Sequence, residues 1–419
     1  MRDFLYLGFM EIFYHTLPNG LRIVHQESMS EVAYIGIMIG AGTRDENKPT
    51  NGMAHYIEHC VFKGTHSKSA SQIIRAIEDI GGEINAYTTK EETTYYAATP
   101  RRYFGRTLHL LSDLVSNATF PKKETEKEYG VILEEIESYN DSPSELIYDD
   151  FESILFDQYP IAMPILGTKK SLQQIQKHPE SVQEWLKQYY VPSNMVLFSQ
   201  GNIAFDKVIH YASTYLGQLP PANHCSRSFR QVPELYTPQH ISYHKHTHQV
   251  HIMLGSRSYP IGHKRQLSMF LLNNILGGGS LSSRLNLSLR EKKGLVYTIE
   301  SQYVPLSDTG YWGIYLACEA MHKNECIDLV HKELKRLREQ PLSSIQLKRA
   351  LNQIHGQMAI SAENQENKVL SMGKQVLYHN VAPTWQQTYQ RLESLTSSDL
   401  LETANEMLQE EHISSICYE

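Results

Sequence analysis

The chain holds 419 residues, enough for two or three domains, each large enough to bury a core. Hydrophobic residues make up 41% and charged residues 20%, which excludes a disordered chain, a collagen and a coiled coil, and no run of about 18 apolar residues marks a membrane span. A net charge of −7 argues against a general nucleic-acid binder, and five cysteines without a C-x-x-C pair read as reduced thiols, with the cytoplasm as the default location.

The amino terminus carries a short apolar stretch, Phe4 to Met10, with neither a small-residue cleavage site nor an Arg-rich presequence, and Met10 offers an alternative start. Residues 12–40 read as strands around a turn at Leu17-Pro18-Asn19-Gly20, with Val32 to Gly40 apolar enough to be buried. Gly42 to Gly52 is loop-like, and Met53 to Phe62 is helical. A further helix opens at Ser69 and stops at Gly81-Gly82. Glu83 to Thr99 is rich in Thr and Tyr, as a β-hairpin requires. Leu108 to Ser116 is helical, and Pro121 starts another helix that runs to about Tyr139.

The second half repeats this order. Val250 to Gly255 takes the place of the first buried strand and Met269 to Leu276 that of the Met53 helix. Ser283 to Lys292 is a helix closed by Gly294, and Val296 to Tyr303 with Gly310 to Cys318 forms the hairpin. The expectation is an ancient duplication: an α+β protein of two homologous α/β domains, each a sheet with helices packed on it. The boundaries fall at 10–216 for a first domain, 217–239 for a Pro-containing linker and 240–419 for a second domain.

The chemistry concentrates in His55-Tyr56-Ile57-Glu58-His59, a His-x-x-Glu-His motif. On a helix, His55 and His59 project from one face and suit a tetrahedral zinc. Glu58, beside them, is placed to take a proton from water; the arrangement is the inverzincin order. Chance alone gives this pattern in about one chain in ten of this length and composition, so the motif needs support. A third ligand is expected from the helix after Pro121, where Glu128 and Glu135, two turns apart, share a face while Glu134 and Glu137 point elsewhere. Alone, that helix reads equally well as a solvated acidic surface. Beside the histidines, Glu135 reads as a zinc ligand with Glu128 behind it, orienting a ligand or the water. Aligning Met53 with Met269 puts Leu271, Asn274 and Ile275 where His55, Glu58 and His59 stand, so one zinc per chain is expected.

Several segments together resemble the pitrilysin/insulinase family of metallopeptidases, in particular the two-domain type that includes mitochondrial processing peptidase and its bacterial relatives. They are Leu17 to Leu21, Gly42-Thr43-Arg44-Asp45-Glu46, Gly52 to His59, Phe62-Lys63-Gly64-Thr65, Gly81 to Thr88, Glu128 to Ile136, Leu276 to Ser280, Ser283-Arg284-Leu285 and Leu289 to Tyr297. Cys60 departs from the methionine or apolar residue more usual after the second histidine, and is expected to be a buried packing thiol. The resemblance implies a processing-peptidase-like metallohydrolase fold and a zinc metalloendopeptidase acting on short or unfolded peptides in an enclosed chamber. It implies His55, His59 and Glu135 as zinc ligands, Glu128 in support and Glu58 as catalytic base. It further implies that Asn85, Ala86 and Tyr87 hold an extended peptide by strand pairing. Arg290 and Tyr297 would reach the substrate from the second domain, and a chain bearing both sets suits a homodimer. The alternative from another class is a non-catalytic partner subunit of a processing-peptidase-like complex. His244, His246, His248 and His251 read as a solvated or packed strand rather than a second metal site, and Gly277-Gly278-Gly279 as a turn.

Overall fold

The expected turn at Leu17–Gly20 is closed by Leu17 and Leu21 backbones 2.9 Å apart, and Gly20 takes the left-handed φ of +92° that the turn demands. It joins the first two strands of a computed structural model that describes residues 11–157, 159–221, 236–245 and 247–419. The amino-terminal stretch, the central part of the linker with Cys225, and His246 lie outside the described residues.

The first sheet holds β1 (Ile12–Thr16), β2 (Arg22–Glu27), β3 (Val32–Ile39), β4 (Glu83–Thr88), β5 (Thr93–Pro100) and β6 (Met195–Gly201) in the order β1-β2-β6-β3-β5-β4. Only β2 and β6 run parallel. The wholly buried β6 and the mostly buried, apolar β3 take the centre, while the Thr/Tyr-rich hairpin ends the sheet with β4 as an edge. One face packs under helices through Ile23, Ile35, Ile37, Ile57, Leu111 and Leu197. On the other face Val24, Met38, Val196 and Phe198 pack against Val369, Met372, Val376 and Leu377 of the helix Gln365–His379. Phe198 sits where glycines make room for it: a Cβ on Gly36 would lie 2.1 Å from its ring, and one on Gly373 would lie 2.6 Å away.

The second sheet holds β7 (His240–Tyr243), β8 (Val250–Arg257), β9 (Val296–Pro305), β10 (Gly310–Cys318) and β11 (Ser414–Tyr418) in the order β7-β11-β8-β10-β9. This repeats β2-β6-β3-β5-β4 strand for strand, including the single parallel pair, β7 with β11. The duplication read from the sequence is therefore carried by the topology. One face of this sheet is covered by Ile147, Phe151, Ile154 and Leu155 of the helix Pro143–Phe156.

The two compact units do not follow the expected split throughout. The helix Pro143–Phe156, from before the linker, belongs to the second unit, and Gln365–His379, from well after it, belongs to the first. The remaining expectations for helices hold with small changes. The histidine motif lies on Met53–Cys60, its counterpart on Gln266–Gly277, and the glutamates on Lys122–Asn140. The helix expected over 283–292 is wound wider, as a π-helical stretch over Asn286–Glu291, with Gly294 at φ +64° after it. His251 lies on β8 with Nδ1 2.9 Å from the Tyr315 hydroxyl, and His244 and His248 are exposed, in keeping with a solvated and packed strand region. No helix among the described residues is long and apolar enough to cross a membrane.

Candidate metal centre

The histidine helix is anchored at its start by a residue with no cap side chain. Gly52 takes φ +88°, and a Cβ there would come within 2.9 Å of the Leu166 carbonyl. Glu46 supplies the missing acceptor: its carboxylate receives the Gly52 and Ala54 backbone N–H groups at 2.7 and 2.8 Å, and the Asn51 amide at 3.0 Å. Burial pushes the Glu46 pKa up to about 8, against the pull of those donors. Met53, Ala54, Ile57 and Cys60 face the core, so Cys60 is the packing thiol expected.

That anchoring turns His55 and His59 to the same side, their ring centroids 4.5 Å apart. The glutamate helix meets them with the two residues that its period aligned. Glu135 Oε2 lies 3.8 Å from His55 Nε2 and 3.4 Å from His59 Nε2. These three donor atoms all lie within 4.8 Å of one another, a group of one buried, one half-buried and one exposed residue. Ligands about 2.0–2.1 Å from a tetrahedral zinc stand roughly 3.3–3.5 Å apart, so the His59–Glu135 pair has the spacing of two zinc ligands and the His55–Glu135 pair stands slightly wide of it. The exposed side of Glu135 leaves an approach for water.

Glu128 stands behind this donor group. Its carboxylate accepts from His59 Nδ1 at 2.9 Å and pairs with Lys63 Nζ at 2.6 Å. A proton on Nδ1 leaves Nε2, the atom beside Glu135, with its lone pair toward the metal position. His55 is held neutral: burial, then the neighbouring His59 charge, push its pKa down to about 4. For His59, burial disfavours the charged ring, but the hydrogen bonds its ring donates to the carboxylates of Glu135 and Glu128 outweigh it and raise the pKa. Glu58 is not in the donor group. Burial raises its pKa, and the Thr88 hydroxyl, donating to Oε2 at 2.6 Å, opposes that shift.

Asn85, Ala86 and Tyr87 lie on the edge strand β4, one to three residues before Thr88. Arg290 and Tyr297 lie in the second unit, where the guanidinium sits 5.4 Å from the Tyr297 ring centroid and Tyr297 is 79% exposed. Sequence reasoning gave Glu46, Lys63 and Thr88 no role at the metal centre. Lys63 had a readable signal, four residues beyond His59; the partners of Glu46 and Thr88 are fixed only by tertiary structure.

Two histidines and a glutamate, with one carboxylate a single residue from His59 and a second behind it, make a donor set able to hold a metal ion. The family model described as Insulinase (Peptidase family M16) matches residues 22–169, and that described as Peptidase M16 inactive domain matches residues 178–354. The chain belongs to peptidase family M16. It is 33% identical over 365 residues to the uncharacterized zinc protease YmxG of Bacillus subtilis, covering 87% of each chain. It is 30% identical over 401 residues to an uncharacterized zinc protease of Streptomyces coelicolor, covering 94% of this chain and 86% of that one. The fold matches the crystal structure of a protease from Helicobacter pylori with a TM-score of 0.90 at 21% identity, over 98% of this chain and all 100% of that one.

Glu128→Gln is expected to weaken zinc binding by about tenfold, up to about a hundredfold, because it removes the charge that orients His59 and pairs with Lys63. Competition with a chromogenic chelator measures this; unchanged affinity would show that Glu128 only packs.

Proposed function

We propose that the protein is a zinc-dependent endopeptidase, with one zinc per chain held by His55, His59 and Glu135. The observation that carries this is the convergence of those three donors beside Glu58. Zinc, when bound, supplies Lewis acidity that acidifies water and polarises a carbonyl. Glu58 takes the proton from the attacking water and passes it to the leaving amine, a role that its raised pKa suits. Thr88 fixes one oxygen of that carboxylate. Asn85, Ala86 and Tyr87 hold the substrate as an added strand on the edge of the first sheet. The printed names of the relatives support a peptidase in general; short or unfolded peptides as substrates, an enclosed chamber, a homodimer and a cytoplasmic location are carried from the resemblance. The convergence of His55, His59 and Glu135 and the hydrogen bond between His59 and Glu128 support this reading over a non-catalytic partner subunit. Incubation of the zinc-loaded protein with a mixed peptide library, followed by product sequencing, decides between them: zinc binding without cleavage would establish the partner reading.

Arg290 and Tyr297 are assigned to the substrate, Arg290 bonding a peptide carbonyl and the Tyr297 hydroxyl stabilising the developing oxyanion. Tyr297→Phe deletes one exposed hydroxyl and is expected to lower kcat about a hundredfold. Arg290→Ala should raise KM as well, since it also holds the ground state. Steady-state cleavage of a quenched fluorescent peptide, with zinc measured in parallel, checks both; wild-type rates would make the pair structural.

A further inference from the structure

We infer that Lys374 and Tyr378, on the helix Gln365–His379 from far along the chain, are positioning residues for Glu58, an inference that rests on Glu58 as the proton acceptor. They act through the turn between β4 and β5. That turn contains Lys90, Glu91 and Glu92, three consecutive charged residues only 6%, 2% and 1% exposed. A hairpin turn ordinarily gives such residues to solvent, and buried charges persist only when paired. Each has its partner: Lys90 Nζ donates to the Met163 carbonyl at 2.6 Å, Glu91 pairs with Arg44 at 2.7 Å, and Glu92 takes Lys374 at 2.6 Å together with the Tyr378 hydroxyl.

The turn is also locked within itself. Thr89 N donates to the Glu92 carbonyl at 2.8 Å, and Glu92 N donates to Thr89 Oγ1 at 3.1 Å. The residue before it is Thr88, whose hydroxyl holds Glu58. Fixing Glu92 therefore fixes Thr88 and the oxygen of the base that it holds. The same turn seats the loop of the helix cap: Thr43 N and Arg44 N donate to the Thr89 and Lys90 carbonyls at 3.2 and 2.8 Å, two to three residues before Glu46. Lys374 is 44% exposed at its side chain, so replacing it leaves the core intact.

The experiment uses the zinc-loaded full chain with Lys374→Met, Lys374→Arg and Tyr378→Phe. Peptide cleavage gives kcat and KM, zinc is quantified, and amide hydrogen exchange over residues 86–93 is followed without substrate. Lys374→Met should lower kcat by about 10–100-fold with KM and zinc nearly unchanged, and should speed exchange in the turn; Tyr378→Phe should do the same to a smaller extent. Lys374→Arg should restore both readouts. With Thr88→Val already present, Lys374→Met should cost nothing further, because the connection is already cut. Unaltered exchange, unaltered kcat or additive losses in the double variant would overturn the inference. A wild-type protein that cleaves no peptide overturns the peptidase reading instead, and the exchange measurement still decides whether Lys374 holds the turn.

Discussion

Glu58→Gln is expected to keep its full zinc content and lose turnover by about 10²–10⁴-fold. The amide has the shape of the carboxylate, and its oxygen still accepts from the Thr88 hydroxyl, so the local structure survives. It has no basic oxygen to take a proton from water. The donor group lies elsewhere, on His55, His59 and Glu135, so the metal stays. Glu135→Gln makes the contrasting case: its Oε2 stands 3.4 Å from His59 Nε2 and is assigned to the metal, so that variant should lose zinc and activity together. Metal content plotted against kcat for both variants separates base from ligand. Zinc lost from Glu58→Gln and retained by Glu135→Gln would reverse the two roles.

The parts of this site that a reader of the sequence can place are those set by helical period. A spacing of four from His55 to His59, and of seven from Glu128 to Glu135, each puts a pair on one face of a helix, and the two faces meet in the structure. The second half was legible for the same reason: its order of apolar strands, helices and hairpin repeats that of the first, and the strand orders agree. The exchange of helices was not. Ile147, Phe151, Ile154 and Leu155 mark an amphipathic helix, but any sheet with an apolar face satisfies them, and the choice of the second sheet depends on details such as the Phe151 ring lying 3.3 Å from where a Cβ on Gly313 would be. The burial of the turn at Lys90-Glu91-Glu92 was not legible either: its partners Arg44 and Lys374 are 46 or more residues away and leave no local trace. The π-helical winding at Asn286–Glu291 likewise follows from packing and not from periodicity.

Replacing His55 or His59 by Ala should abolish zinc binding, and chelation of the wild-type protein should destabilise the first unit to a similar degree. A ligand present at about a thousand times its dissociation constant adds roughly 4 kcal/mol to folding, about 10 °C in melting temperature for a unit of this size. The gap between loaded and chelated protein should depend on pH in a definite direction. Zinc takes the neutral imidazole, so protons compete with it. His55, pushed down to about 4 by burial, is neutral throughout the range of interest and adds no slope. His59 is the group that titrates. In the metal-free protein its raised pKa means that the charged ring contributes stability fully present below the unfolded value of about 6.5 and lost as pH rises through the folded value. Acid therefore strengthens the chelated protein at this one group and weakens zinc binding in the loaded one. The gap in melting temperature should narrow as pH falls from about 8 to about 6, and in His59→Ala it should be absent at both. Calorimetry with and without chelator at the two pH values tests this. A gap that widens on acidification would remove His59 from the ligand set, because no proton would then be competing with the metal at its ring.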